Sequence, residues 1–166
     1  MKIIAIDPGY ERVGIAILEK DCVVFSECFK TGAKLDFSKR LGLIGKEIYT
    51  VIKKFKPEAM AIETLYFTTN QKTAMGVAEA RGVIVYEAQK AGLKIFEYTP
   101  LQIKIAVTSY GKSDKKAVMA MVKKLIKIEN KSRASMDGTR HDSAESDDEL
   151  DAIAVGLTCL AHEKFR

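Results

Sequence analysis

Lys2-Ile-Ile-Ala-Ile-Asp7 and Ala59-Met-Ala-Ile-Glu63 are short apolar runs that each close on an acid. Such runs read as buried strands, and a carboxylate at the end of one is costly unless something positive compensates it. Outward from Asp7 the connections are tight. Pro8-Gly-Tyr-Glu-Arg12 and Lys20-Asp21 separate Lys2 to Asp7, Val13 to Glu19 and Cys22 to Lys30, so these three segments are expected to form an antiparallel meander. Ser38 is placed to cap a helix with Leu41, Ile44, Ile48, Val51 and Ile52 on one face, ending before Pro57 and leading into the strand that closes on Glu63. A second helix is expected from Asn70 to Ala91, closed by Gly92, followed by a strand from Lys94 to Tyr98. Pro100 starts a helix to Thr108, Ser113 caps a lysine-rich helix reaching Lys127, and a last helix runs from Asp148 to His162. The order gives an α/β fold, a mixed five-stranded sheet flanked by helices.

The 166 residues are expected to form one domain, 1–166, large enough to bury roughly two thirds of the surface its unfolded chain exposes. Cys22, Cys28 and Cys159 show no C-x-x-C pair and are odd in number, which argues against a disulfide framework or a structural zinc site and favours a reducing cytoplasm. No signal-peptide pattern and no apolar stretch of about 18 residues points to a membrane. The net charge of +5 is compatible with an anionic partner. Lys104, Lys112, Lys115, Lys116, Lys123, Lys124, Lys127, Lys131 and Arg133 crowd one stretch, and Asp142, Glu145, Asp147, Asp148, Glu149 and Asp151 follow it. A basic run alone is often only a solvated helix face, whereas beside a carboxylate site it reads as a nucleic-acid surface. Residues 129–147 are polar and without periodicity, and are expected to form a mobile surface loop that runs directly into Asp148.

Asp148-Glu-Leu-Asp151 offers two carboxylates one helical turn apart, about 5–6 Å between Cβ atoms. With Asp7 and Glu63 they supply hard oxygen donors from three distant segments, a set suited to Mg²⁺, with Mn²⁺ as a substitute. Two such ions about 3.5–4 Å apart activate a water, stabilise a phosphorane-like transition state and assist a departing 3′ oxygen, which amounts to phosphodiester hydrolysis. In this reading Asp7 bridges both ions, Glu63 holds one, and Asp148 and Asp151 complete the other side. Gly9 and Gly14 would keep side-chain bulk away from an approaching phosphate. Each acid also has a simpler explanation: Asp7-Pro-Gly is good turn chemistry, and Asp148 suits a helix N-cap with acids in the first turn. Coincidence explains the whole series poorly.

Asp7-Pro-Gly-Tyr-Glu-Arg-Val-Gly14, Ala61-Ile-Glu-Thr-Leu-Tyr-Phe67 with Asn70, Ala78-Glu-Ala-Arg-Gly82, Thr99-Pro-Leu-Gln-Ile-Lys104, Ala106-Val-Thr-Ser-Tyr-Gly-Lys112 and Asp148-x-x-Asp151-Ala-Ile-Ala154 resemble, nearly end to end, the successive motifs of the RuvC family of bacterial crossover junction endodeoxyribonucleases. The short D-x-G element is shared with actin-like ATPases and other RNase H-like proteins. The glutamate motif followed by the Ala-Arg-Gly helix and the Pro-x-x-x-Lys segment is specific. The resemblance implies an RNase H-like fold and a homodimer with the helix of Ala78 to Gly82 at its interface. It further implies Mg²⁺-dependent resolution of Holliday junctions by symmetric nicking of two strands of like polarity, with two ions per subunit held by Asp7, Glu63, Asp148 and Asp151. Lys104 and Lys115 match DNA-contacting positions, and Lys112 and Lys116 lie beside them in the basic run. A T-rich cleavage preference and cooperation with the RuvA and RuvB branch-migration proteins are implied as well.

Some positions depart from the family pattern. Where an aromatic wedge, commonly Phe, stands three residues after the glutamate, this chain has Tyr66 followed by Phe67. Either ring can stack on an unpaired base, worth about 1–3 kcal/mol, or serve in the core. The loop before Asp148 is longer than is typical, and Asp147 adjoins it, so the ligand choice stays open by one residue, with Asp148 favoured by its spacing from Asp151. Glu149 and Leu150 stand where small residues are usual. His141 lies in too polar a loop to be favoured as ligand or base. Two readings compete with a resolvase: another RNase H-like nuclease, YqgF-like or structure-specific, and a non-cleaving junction-binding protein.

Overall fold

The computed structural model describes residues 1–20, 22–65, 71–125 and 146–163. Its centre is β1 (Lys2–Asp7), where Ile3, Ile4, Ala5 and Ile6 are all fully buried. A strand buried on both faces needs a partner on each edge and a layer above and below. β1 pairs antiparallel with β2 (Arg12–Glu19) and parallel with β4 (Ala59–Glu63), and β3 (Cys22–Lys30) and β5 (Lys94–Tyr98) complete the order β3-β2-β1-β4-β5. This is the mixed five-stranded sheet expected from the sequence.

Alternation along the strands sorts side chains into two layers. Ile4, Ile6, Ile15, Ile17, Met60 and Ile62 pack under α1 (Phe37–Phe55) and α2 (Gln71–Lys90). Ile3, Ala5, Ala16, Leu18, Ala59 and Ala61 pack against α3 (Pro100–Thr108), α4 (Lys115–Leu125) and α5 (Asp147–Glu163). Each large aliphatic residue buried in this way contributes about 1.5–3 kcal/mol. The alanines on the second face have a steric purpose. They let α5 settle so close to the sheet that a Cβ added at Gly156 would stand 3.1 Å from the Cβ of Ala5.

Helix ends differ from the sequence expectation by one or two residues, for local reasons. The first helix begins after Asp36 rather than at a Ser38 cap. Before α4, the Asp114 carboxylate accepts the Ala117 N–H at 2.8 Å, while the Ser113 hydroxyl, expected to cap, instead meets Thr108 Oγ1 at 2.8 Å. Thr99 and Gln102 form a reciprocal capping box around Pro100, as the Pro100 start anticipated. Gly92 closes α2 at φ 73°, with its N–H donating to the Gln89 carbonyl and the Leu93 N–H to the Ala88 carbonyl. Asp147 begins α5 instead of ending the expected 129–147 loop, of which residues 129–145 lie outside the described residues. Among the described residues no helix is long and apolar enough to cross a membrane.

Candidate active site

Parallel pairing of β1 with β4 runs Ile3 to Ala59 through Ile6 to Ile62, so Asp7 and Glu63 leave the sheet at the same end. In open α/β sheets the crevice beyond the carboxyl ends of the strands is the usual place for a ligand. Alternation turns both acids toward the α5 layer. In the adjoining ladder Asp7 lies opposite Gly14, and Gly14 lies opposite Cys28, so one row crosses three strands below the start of α5.

Gly14 decides how near that start can come. A Cβ there would lie 2.0 Å from the Asp148 carbonyl oxygen and 3.2 Å from the Ala152 Cβ. The glycine therefore admits the helix rather than a phosphate, contrary to the sequence expectation. Gly9 serves the hairpin in a similar way, since a Cβ at that position would lie 2.1 Å from the Arg12 carbonyl oxygen. The turn after Asp7 is further held by Thr31, whose hydroxyl donates to the Tyr10 carbonyl at 2.7 Å, and by the Tyr10 ring against Phe37 and under Arg40.

The four expected carboxylates act on one another through space. Burial, then Glu63, Asp151 and Asp148 in turn, push the Asp7 carboxyl up to about 8, with Lys115 opposing. Burial followed by Asp151 raises Glu63 to about 7, against the pull of Lys104. Asp151 is raised by burial despite its hydrogen bond to Lys115. Lys115 is itself raised: burial opposes its charge, but Asp151 at 3.0 Å and Asp147 at 3.5 Å outweigh that. Asp148 turns the other way. Its Oδ2 lies 3.7 Å from the Arg12 guanidinium and accepts the Cys28 thiol at 3.4 Å.

As they stand, no three His, Cys, Asp or Glu side chains among the described residues are gathered closely enough to hold a metal ion. The expected ligand set is therefore not gathered around one point in the free chain. Asp148 is engaged by Arg12 and by the Cys28 thiol, and Asp151 by Lys115. The donor chemistry nonetheless fits Mg²⁺ or Mn²⁺: all four groups are carboxylates, and burial with the charge of neighbouring acids leaves Asp7 and Glu63 in need of positive charge.

Of the expected DNA-binding lysines, Lys104 and Lys115 border the carboxylates, and Lys112 and Lys116 are exposed in the α3–α4 turn and on α4. Tyr66 and Phe67 lie outside the described residues, as does His141. Sequence reasoning gave no role to Arg12, Ser26 or Cys28, and noted Glu149 only as a departure. Glu149 is half-buried and joined to Ser26, and it completes a capping box with Ser146. The Ser146-x-x-Glu149 spacing was a visible signal for that box. Nothing in the sequence signalled the contacts to β3, which span 120 positions or more.

Residues 3–159 match the family model described as crossover junction endodeoxyribonuclease RuvC. The RuvC of Thermosipho melanesiensis is 41% identical, covering 98% of each chain, and that of Finegoldia magna is 36% identical, covering all of this chain and 96% of its own. The structure resembles that of Thermus thermophilus RuvC in complex with a Holliday junction substrate, with a TM-score of 0.84 at 26% identity over 99% of this chain and 96% of the other. A yeast mitochondrial Holliday junction resolvase, at TM-score 0.70 and 15% identity over 98% of this chain and 80% of its own, shares the fold. With an RNase H-like sheet, an acid at the end of each of its two central parallel strands and a family match over nearly its whole length, the chain belongs to the RuvC family of crossover junction endodeoxyribonucleases.

Proposed function

We propose that this chain, as one nuclease domain over residues 1–166, resolves Holliday junctions as a homodimer by Mg²⁺-dependent paired nicking of two strands of like polarity. The observation that carries the reading is the electrostatic coupling of Asp7, Glu63, Asp148 and Asp151 at one end of the sheet, in a chain of this family. These four residues would hold two ions per subunit, with Mn²⁺ able to replace Mg²⁺. When bound, the ions supply an activated water and charge stabilisation for in-line displacement at the phosphorus.

The chain's own groups do the rest. Asp7 and Glu63 stand at strand ends, whereas to hold ions Asp148 would have to give up Arg12 and Asp151 to give up Lys115. The released cations then face the phosphates of the cut strand, beside Lys104. Lys112 and Lys116 extend the same basic surface along the junction arms. The segment holding Tyr66 and Phe67 follows Thr64, whose N–H donates to the Tyr98 carbonyl at 2.9 Å, so its root is tied to β5 beside the acids. One of those two rings stacks on an unpaired base at the junction centre. Paired cuts need two sites related by symmetry, which accounts for a homodimer working with the RuvA and RuvB branch-migration proteins in the cytoplasm.

The test is a mobile synthetic four-way junction incubated with the protein in Mg²⁺ or in EDTA, with cuts mapped on all four strands. Nicks at matching positions on two strands of like polarity, in Mg²⁺ alone, are the expected result. Tight binding without cutting in Mg²⁺, or unpaired cuts on flaps or RNA, overturns it.

A further inference from the structure

Strand β3 presents Ser26 and Cys28 on the α5 face, two residues apart, and consecutive residues of α5 meet them. The Ser26 hydroxyl donates to Glu149 Oε2 at 2.8 Å, and the Cys28 thiol donates to Asp148 Oδ2 at 3.4 Å. The other oxygen of Glu149 turns back on its own helix, accepting the Ser146 N–H at 3.4 Å and the Ser146 hydroxyl at 3.3 Å. Glu149 thus joins the cap of α5 to the edge of the sheet. Cys28 lies in the row that runs through Gly14 to Asp7, and Gly14 is the residue that brings the Asp148 backbone onto the sheet. These fixings act at the place where the helix follows residues 126–145. Apart from the exposed Arg12, the Asp148 carboxylate has Cys28 behind it, and ligand groups are oriented by the hydrogen bonds behind them.

We infer that β3 is a clasp for the metal-binding turn, in which Cys28 and Glu149 are positioning residues. Cys28 orients the Asp148 carboxylate, and Glu149, through Ser26, fixes the turn that carries it. Both contacts of Asp148, from Cys28 and from Arg12, fall on Oδ2, so the thiol can stay in place while Arg12 gives way and Oδ1 meets a cation. Glu149 binds no metal in this scheme; its two oxygens are taken by Ser26 and Ser146. The departure from small residues between Asp148 and Asp151 then has a purpose in this chain.

This inference rests on the reading of Asp148 as a metal ligand, and the experiment separates the two. Mn²⁺ binding to the full chain, without DNA, is titrated by the loss of the free-ion electron paramagnetic resonance signal, with thermal midpoints in EDTA as the measure of folding. Cys28→Ala and Ser26→Ala are expected to weaken Mn²⁺ about 10-fold, the lower end of the ~10–100-fold typical of lost outer-shell partners. Cys28→Ser, which keeps a donor, and Glu149→Gln, which keeps an acceptor for Ser26, are expected to remain near the wild-type affinity. If Cys28→Ala and Ser26→Ala bind Mn²⁺ like the wild type while Asp148→Asn does not, the clasp is wrong and the ligand reading stands. If Cys28→Ser is as weak as Cys28→Ala, the loss is one of packing and the inference also fails. Wild-type affinity in Asp148→Asn removes the ligand reading, and the clasp with it.

Discussion

Asp7 ends a strand that is otherwise wholly apolar, and three further acids surround its carboxyl, raised to about 8 by burial and then by those neighbours. Because the folded chain holds this proton more tightly than the unfolded chain, whose value is near 3.8, stability falls as pH rises between those limits. At neutral pH without metal, Asp7 is therefore a cost to the fold. Asp7→Asn removes that cost together with the charge. The variant is expected to bind a four-way junction, to lose all cleavage and to melt higher than the wild type in EDTA at pH 7.5. A gain of only ~1 kcal/mol would appear as a rise of about 2–4 °C for a chain of this size. Retained cleavage would remove Asp7 from the site, and a lower melting point would mean that its carboxylate stabilises the strand end. Asp7 and Glu63 were legible in the sequence because an acid that closes an apolar run stands out locally, whereas the parallel pairing that brings them to the same end of the sheet is a long-range contact that no local pattern showed. Cys28, Ser26 and Arg12 were not legible as parts of the site. Their roles depend on which residue of a helix more than 100 positions away meets them, and polar residues on a strand face carry no such information.

Elements show the same division. The five strands followed from short connections and apolar runs, whereas the order of β1, β4 and β5 in the sheet did not, and the α4 cap moved by one residue because Asp114 takes the Ala117 N–H while Ser113 turns to Thr108. A pairing of acids between elements, Glu27 of β3 with Glu47 of α1, had no sequence signal at all. Burial pushes Glu27 up to about 8, followed by the charge and hydrogen bond of Glu47 and the charge of Glu149, with Lys54 opposing. Two carboxyl groups can hydrogen-bond only while they share a proton, so the contact between β3 and α1 is made at low pH and weakened as pH climbs. The folded value lies above the ordinary 4.5, hence this pair also takes stability away as pH rises from about 5 to about 8. In Glu27→Gln the amide can donate to the Glu47 carboxylate at every pH. Urea midpoints measured in EDTA across that range are expected to fall less steeply for Glu27→Gln than for the wild type. Equal slopes would mean that the two carboxyls do not share a proton.

Across the whole molecule, charge is arranged so that the net +5 does not dilute the acid site. Lysines of α3 and α4 stand beside it, and the acids of the first turn of α5 answer them. The arrangement suits a polyanion whose phosphates approach the four acids: the cations offset repulsion on approach, and the helix that carries Asp148 and Asp151 is itself buried among the sheet residues. Lys115 lies at the junction of the two regions, bound to Asp147 and Asp151 in the free protein. Its transfer to a phosphate gives up both of those contacts, so the gain from one DNA contact is smaller than that of an unencumbered lysine at low salt. The counterion released from the DNA is the same. Lys115→Ala is therefore expected to weaken junction binding in EDTA only modestly while reducing the slope of log K against log salt by about 0.9, the share of one phosphate contact on B-form arms. Binding measured at several salt concentrations decides it. A parallel shift with an unchanged slope would mean that Lys115 acts on the protein's own acids and never reaches the DNA, whereas a smaller slope with cleavage lost would place it at the phosphate that is cut.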